Sequence, residues 1–389
     1  MSNTVVTFPT PKRRLVVSRL KDARVAACLN QSELAVAVGI TRQAISAYEQ
    51  GEKSPEPETL ERIASHLGQP ISYFSAEDRP VFGEFSSMFF RSVGSPKKRR
   101  NMACFVISKW FVQVTTYLDS FVNFPVVRVP QVSPQASGGR YEPEEIEQAA
   151  EVCRKQWGLG LGPIANMVSL LEANGVTVCR CGVERESVEA FSFWNGNRPF
   201  VVLASEKESA ARSRFDAAHE LGHLVLHRWV GAEELEDPKK LKLIEREADR
   251  FASAFLLPRH SFPAEIFTTR LDAFVALKKR WKVSIAAMVY RCKQLAIFDE
   301  DQVTNLYKQL SARRWRSREP LDSLETGLPL EQPRLLKRAV EMLIAAGKKI
   351  PDQLTADLRL AHHLIVDLCN LPGEFFTSTA VHEGVPSLK

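Results

Sequence analysis

The stretch AAHELGHLVLH, residues 217–227, organises the reading of this chain. His219 and His223 stand four apart, so on a helix both imidazoles project from one face. Glu220 follows the first histidine. This H-E-x-x-H spacing lets two imidazoles hold a zinc ion while the glutamate acts as general base. Ala218, Leu221, Gly222, Leu224, Val225 and Leu226 make the helix apolar nearly all round, which predicts that it is buried. Two histidines and a glutamate inside a core need partners, and a metal supplies them. The plainer alternative is a pair of hydrogen-bonded core histidines.

A zinc site of this kind takes a third protein ligand and leaves a fourth position open. His227 lies about 12 Å of helical rise beyond His219, too far to share one ion. Six residues past His223, where some zinc helices place a third histidine, stands Trp229. The donor must therefore come from elsewhere, and IEREADRFASAFLLP, residues 244–258, is the best source. Ile244, Ala248, Phe251 and Phe255 form an apolar stripe at helical spacing. Glu247 sits on or beside that stripe, where a carboxylate is costly unless paired or metal-bound. The expectation is His219, His223 and Glu247 as zinc ligands, with Glu245 the substitute for Glu247. Asp249 is expected behind them, orienting a ligand histidine. The alternative for this segment is an amphipathic helix with solvated acids.

Working toward the N-terminus, NQSELAVAVGITRQAISAYEQGEKSP carries a second pattern. Leu34, Ala35 and Val38 form the apolar stripe of one short helix, and Gly39 permits a tight turn. Thr41 caps the next helix, anchored by Ile45 and Tyr48. Arg42, Gln43, Ser46 and Ala47 point outward. Arginine pairs with guanine and glutamine with adenine in the major groove, so Arg42 and Gln43 at a helix start suit base readout. Gln31 opens the preceding helix, where it can meet a phosphate. The expected partner is double-stranded DNA; the alternative is a plain helical bundle.

The rest of the chain bounds these readings. Its 389 residues suggest two to four domains, and 44% hydrophobic with 25% charged residues is a globular balance. The net charge of +6 permits nucleic-acid binding without requiring it. Seven cysteines, an odd number, fit a reducing compartment better than a disulfide framework. No secretory leader or membrane span is read, so the expected location is the cytoplasm, with no membrane partner. Five short helices are expected over 15–75, a helical connector and linker over 76–141, the metal domain over 142–295 and a helical region over 296–389. Residues 176–181 read as a strand, and Asn195-Gly196-Asn197 as a hairpin turn. The fold class is mostly α with a small β-sheet.

Weaker signals are the basic runs at 97–100 and 313–316, and a second helix-turn-helix-like pattern over 277–295. Packing or a solvated surface is the commoner role for each. Cys179 and Cys181 share one strand face and read as ordinary thiols. Tyr290 or His227 could donate to an oxyanion, although nothing fixes either in a cleft.

The N-terminal block resembles the phage-repressor-like, XRE-type helix-turn-helix family. The pair RFDAAHELGHLVLH and E-x-E-A-D-x-F-A-x-x-F-L-L-P looks like the ImmA/IrrE family of metallopeptidase-like proteins. The first resemblance implies a homodimer on a palindromic operator. The second implies a gluzincin-like site, with two histidines from one helix, one glutamate from another and Glu220 as base. It further implies cleavage of a repressor or toxin-system partner by some members. A different class of function is a sensor or antitoxin-like repressor that binds metal and cleaves nothing.

Overall fold

The computed structural model describes residues 15–75, 95–134, 140–182, 190–205, 209–323 and 327–377. The N-terminal unit is five short helices: α1 (Val17–Ala26), α2 (Gln31–Val38), α3 (Arg42–Gln50), α4 (Pro57–His66) and α5 (Ile71–Phe74). Asn30 closes a capping box with Glu33 at the start of α2, and Thr41 accepts from Ala44 N–H at the start of α3. Gly39 (φ 69°) and Gly51 (φ 76°) end these helices in the left-handed region that glycine tolerates. The connector helix α6 (Ser95–Asp119) follows. The aromatic run before it, and the side chains of Lys97 and Lys98, lie outside the described residues.

The second unit opens with α7 (Pro143–Gln156) and α8 (Met167–Ala173), then β1 (Thr177–Cys181), β2 (Phe191–Asn195) and β3 (Arg198–Ala204). The expected helix over 163–174 starts only at Met167, where the Asn166 side chain caps it. The strands lie in the order β1-β3-β2, with β1 parallel to β3 and β2 antiparallel to it. Next come α9 (Ala210–Leu226), α10 (Ala232–Glu236), α11 (Pro238–Leu256), α12 (Leu271–Trp281), α13 (Ile285–Gln294) and α14 (Glu300–Ala312).

The sheet divides two cores. Val178, Trp194, Val201 and Leu203 face one core, shared with α7 to α9 and α11 to α14. Cys179, Cys181, Phe191, Phe193, Phe200 and Val202 face the other, continuous with α6 and the five-helix unit. The period of two along each strand sorts these residues between the layers. Phe200 stacks on Phe193 and meets Phe111 of α6 edge-on, at ring distances of 5.1 and 5.2 Å.

The tail completes that second core with α15 (Leu335–Ala345), α16 (Pro351–Leu358) and α17 (His362–Cys369). A single helix was expected over 353–370. Arg359 instead turns left-handed (φ 52°), and Leu358 and Leu360 on either side of it are both buried. Two carboxylates tie the tail to α8 reciprocally. Glu331 accepts from Met167 and Val168 N–H at the start of α8, and Glu172 accepts from Arg334 and Leu335 N–H at the start of α15. Each satisfies helix N–H groups that otherwise lack partners. Among the described residues, no helix is long and apolar enough to cross a membrane.

Candidate metal centre and nucleic-acid interface

Helix α9 runs through the first core with His219, Glu220, His223 and His227 all buried. Helix α11 packs against it closely at Gly222. A Cβ there would stand 3.2 Å from the Ala248 Cα and carbonyl oxygen. The glycine of H-E-L-G-H thus sets the distance between the two helices that carry the site.

That packing decides which acids reach the histidines. His219 Nε2 and His223 Nε2 lie 3.0 Å apart. The Glu245 carboxylate is 3.3 Å from the first and 3.4 Å from the second. Tetrahedral zinc with bonds near 2.1 Å separates its donors by roughly 3.4 Å. The 3.3 Å contact is made by Glu245 Oε2 and the 3.4 Å contact by its Oε1, and one ligand atom from each of the three residues, all within 4.8 Å of one another, could hold one such ion. Burial works against an ionised Glu245. Hydrogen bonds and charge from the two histidines outweigh it and hold the carboxyl well below the usual range.

The expected third donor needs correction. Glu247 does not reach this pair; its Oε2 lies 2.9 Å from His227 Nε2 and its Oε1 accepts from Tyr141 N–H at 3.2 Å. Glu245 and Glu247 are two residues apart, roughly 200° around the helix, so they stand on opposite flanks of the Ala248 contact. Asp249 shares the Glu245 flank and bonds His219 Nδ1 at 2.8 Å. A signal for this lay in the sequence. If Asp249 orients a ligand histidine, Glu245 one turn earlier on the same face is the natural donor.

Two further residues were not picked out for their place here. His227 Nδ1 lies 3.0 Å from His223 Nδ1, so His227 stands behind a histidine of the candidate donor cluster. Burial pushes its imidazole down to about 4, against the pull of Glu247. Ser192, on β2, donates to Glu220 Oε2 at 2.7 Å, and both are buried. Only the pairing of β2 beside α9 brings them together. Tyr290, weighed as an oxyanion donor, is 48% exposed on α13.

In the five-helix unit, Arg42 and Gln43 are exposed at the start of α3, with Ser46 and Ala47 half-buried on the next turn. Gln31 Nε2 donates to Glu49 Oε2 at 2.9 Å, and Arg24 clamps the same carboxylate at 2.6 and 2.9 Å. The Gln31 side chain is thereby held at the mouth of the motif by a charge-assisted pair.

A helix-turn-helix profile matches residues 20–74 and the IrrE N-terminal-like domain profile matches residues 171–293. The chain is 30% identical over 90 residues to the cryptic phage CTXphi transcriptional repressor RstR of Vibrio cholerae, covering 23% of this chain and 81% of that protein. The chain belongs to the XRE-type helix-turn-helix family and carries an IrrE-like domain.

In this XRE-type chain two cations of the second helix-turn-helix-like pattern are buried in the core. Lys278 is fully buried between Glu319 (2.8 Å) and Asp322 (2.7 Å). Glu319 also accepts from Ile285 and Ala286 N–H at the start of α13. Arg291 is fully buried against both oxygens of Glu147. These cations therefore serve internal ties. Arg313 pairs with Asp272, and Arg99 reaches Glu33 of α2.

Proposed function

We propose that this chain is a cytoplasmic transcription regulator that binds operator DNA as a homodimer through α2 and α3, and that its IrrE-like unit is a zinc-dependent peptidase site. The observation that carries the peptidase reading is the convergence of His219 Nε2, His223 Nε2 and Glu245, with Glu220 adjacent in sequence but outside the donor set. His219, His223 and Glu245 would hold the ion, and Asp249 would orient His219. Zinc, when bound, supplies Lewis acidity toward water and a substrate carbonyl. Glu220 accepts the proton of the attacking water and returns it to the leaving amine. Ser192 holds the Glu220 carboxylate in place by its 2.7 Å hydrogen bond. On the DNA side, Arg42 and Gln43 read base edges, while Ser46, Ala47 and Gln31 fit the groove and phosphate. The substrate would be a repressor or toxin-system partner whose loss relieves repression.

The deciding experiment loads the protein with zinc, incubates it with cellular proteins and compares fragments with those from Glu220→Gln. Fragments that appear only with Glu220 intact support the peptidase. Identical patterns support the second reading, a metal-binding sensor or antitoxin-like repressor that cleaves nothing. One observation favours that alternative: the metal-facing histidines and Glu220 are at most 1% exposed, and Glu220 is already hydrogen-bonded.

A further inference from the structure

The core of the IrrE-like unit contains a polar chain that no part of the metal or base reading requires. It runs from His223 Nδ1 to His227 Nδ1 (3.0 Å), and from His227 Nε2 to Glu247 Oε2 (2.9 Å). Its far end is anchored by Tyr141 N–H on Glu247 Oε1 at 3.2 Å and by Arg140 at 3.9 Å from Oε2. All three side chains of the chain are 9% exposed or less. Arg140 is itself paired with Glu234 at 2.9 Å.

Proton positions along this chain follow from its two ends. His223 presents Nε2 to the donor cluster, so a neutral ring facing a metal carries its proton on Nδ1. That N–H must donate, and His227 Nδ1 is the acceptor. His227 then carries its own proton on Nε2, which donates to the Glu247 carboxylate. Every link points the same way, and the negative charge sits at the end. A carboxylate on the outer nitrogen of a metal-ligating histidine fixes the ring and raises its basicity. Here the carboxylate acts one imidazole further away.

The geometry points to His227 and Glu247 as a positioning pair, in which Glu247 acts through His227 to orient His223 and strengthen its Nε2 as a metal donor. This rests on the reading of His219, His223 and Glu245 as the zinc set. It also gives the buried Glu247 a role other than that of direct ligand. The two ligand histidines are thus backed unequally. His219 is backed directly by Asp249, whose side chain is 48% exposed, and His223 through a buried two-step chain.

The test uses the full chain with zinc in competition against a chelator of known affinity. His227→Phe and His227→Gln should each weaken zinc binding roughly 10–100-fold, and Glu247→Gln should weaken it in the same direction. The double variant His227→Phe with Glu247→Gln should be no weaker than His227→Phe alone, because Glu247 acts only through the ring. In zinc-loaded protein, the imidazole proton resonance on His223 Nδ1 should move upfield in Glu247→Gln, although Glu247 does not touch His223. A residue that merely packs would not shift that resonance. Unchanged zinc affinity together with an unmoved resonance in Glu247→Gln overturns the proposal, and so do additive losses in the double variant. Glu245→Gln is the control for the underlying reading. If it binds zinc as tightly as the unaltered chain, the ligand set itself is wrong.

Discussion

Ser192 Oγ of β2 donates to Glu220 Oε2 of α9 across 2.7 Å, linking an edge strand of the sheet to the residue beside His219 of the candidate donor cluster. The same strand turns Phe191 and Phe193 to the opposite face, into the core shared with α6 and the five-helix unit. One strand therefore touches both the candidate centre and the layer that joins it to the DNA-binding helices.

Ser192→Ala removes a donor from a buried carboxylate, which costs about 1–3 kcal/mol where the group is left unsatisfied. The denaturant midpoint should fall accordingly while zinc content stays near that of the unaltered protein. If the site cleaves peptides, turnover should fall more than substrate affinity. A variant equal to the parent in both midpoint and turnover would show that the hydrogen bond does nothing.

Metal content separates the two acids of α11. The unaltered chain should carry about one zinc, given an open His/His/carboxylate set. His219→Ala, His223→Ala and Glu245→Gln should each empty it. Asp249→Asn should weaken binding roughly 10–100-fold without emptying it, because it backs a ligand rather than serving as one. Metal analysis after dialysis against a weak chelator reads all four variants.

Glu220→Gln should keep zinc and keep operator binding. As a peptidase, the chain would lose roughly 10²–10⁴-fold in rate with that change. A promoter reporter read with and without an inducing stress then distinguishes the classes. Failure to derepress in Glu220→Gln cells supports cleavage, and normal derepression supports the sensor reading.

Arg42→Ala should weaken specific operator binding by about 1–3 kcal/mol and relax preference at one base position. Arg24→Ala should act differently. It frees Glu49, and with it the anchored Gln31, so the loss should be nearly uniform across operator sequences. Gel-shift titrations against a panel of single-base operator variants give both answers.

Lys278 is buried in ion pairs with both Glu319 and Asp322, and removing one partner of a buried pair costs about 3–5 kcal/mol. Lys278→Met should show that loss in urea melts. Burial tends to raise the Asp322 carboxyl, but bonds from Lys278 and Ser209 more than offset this and hold it below its ordinary 3.8. A folded value below the unfolded one means that the unfolded chain binds more protons in acid. The Asp322 contribution is thus complete above the unfolded value and declines as pH falls through it toward the folded one. Stability of the unaltered chain between pH 5 and pH 3 should drop more steeply than that of Lys278→Met.

Much of the candidate centre was legible in the sequence because it is local. Spacing of four puts His219 and His223 on one helical face whatever surrounds them. Gly39, Thr41 and Gly51 mark the ends of α2 and α3 by backbone chemistry that acts within a few residues. The choice between Glu245 and Glu247 was of another kind. Both lie on α11 beside the same apolar stripe, and only the rotation of α11 against Gly222 of α9 sends one to the donor cluster and the other to His227. Ser192 beside Glu220, the tail helices closing the second core, and the burial of Lys278 and Arg291 are likewise contacts between segments distant in the chain. Sequence periodicity fixes which face of an element is apolar. Which neighbour meets that face, and at what rotation, is set by close packing of the whole core.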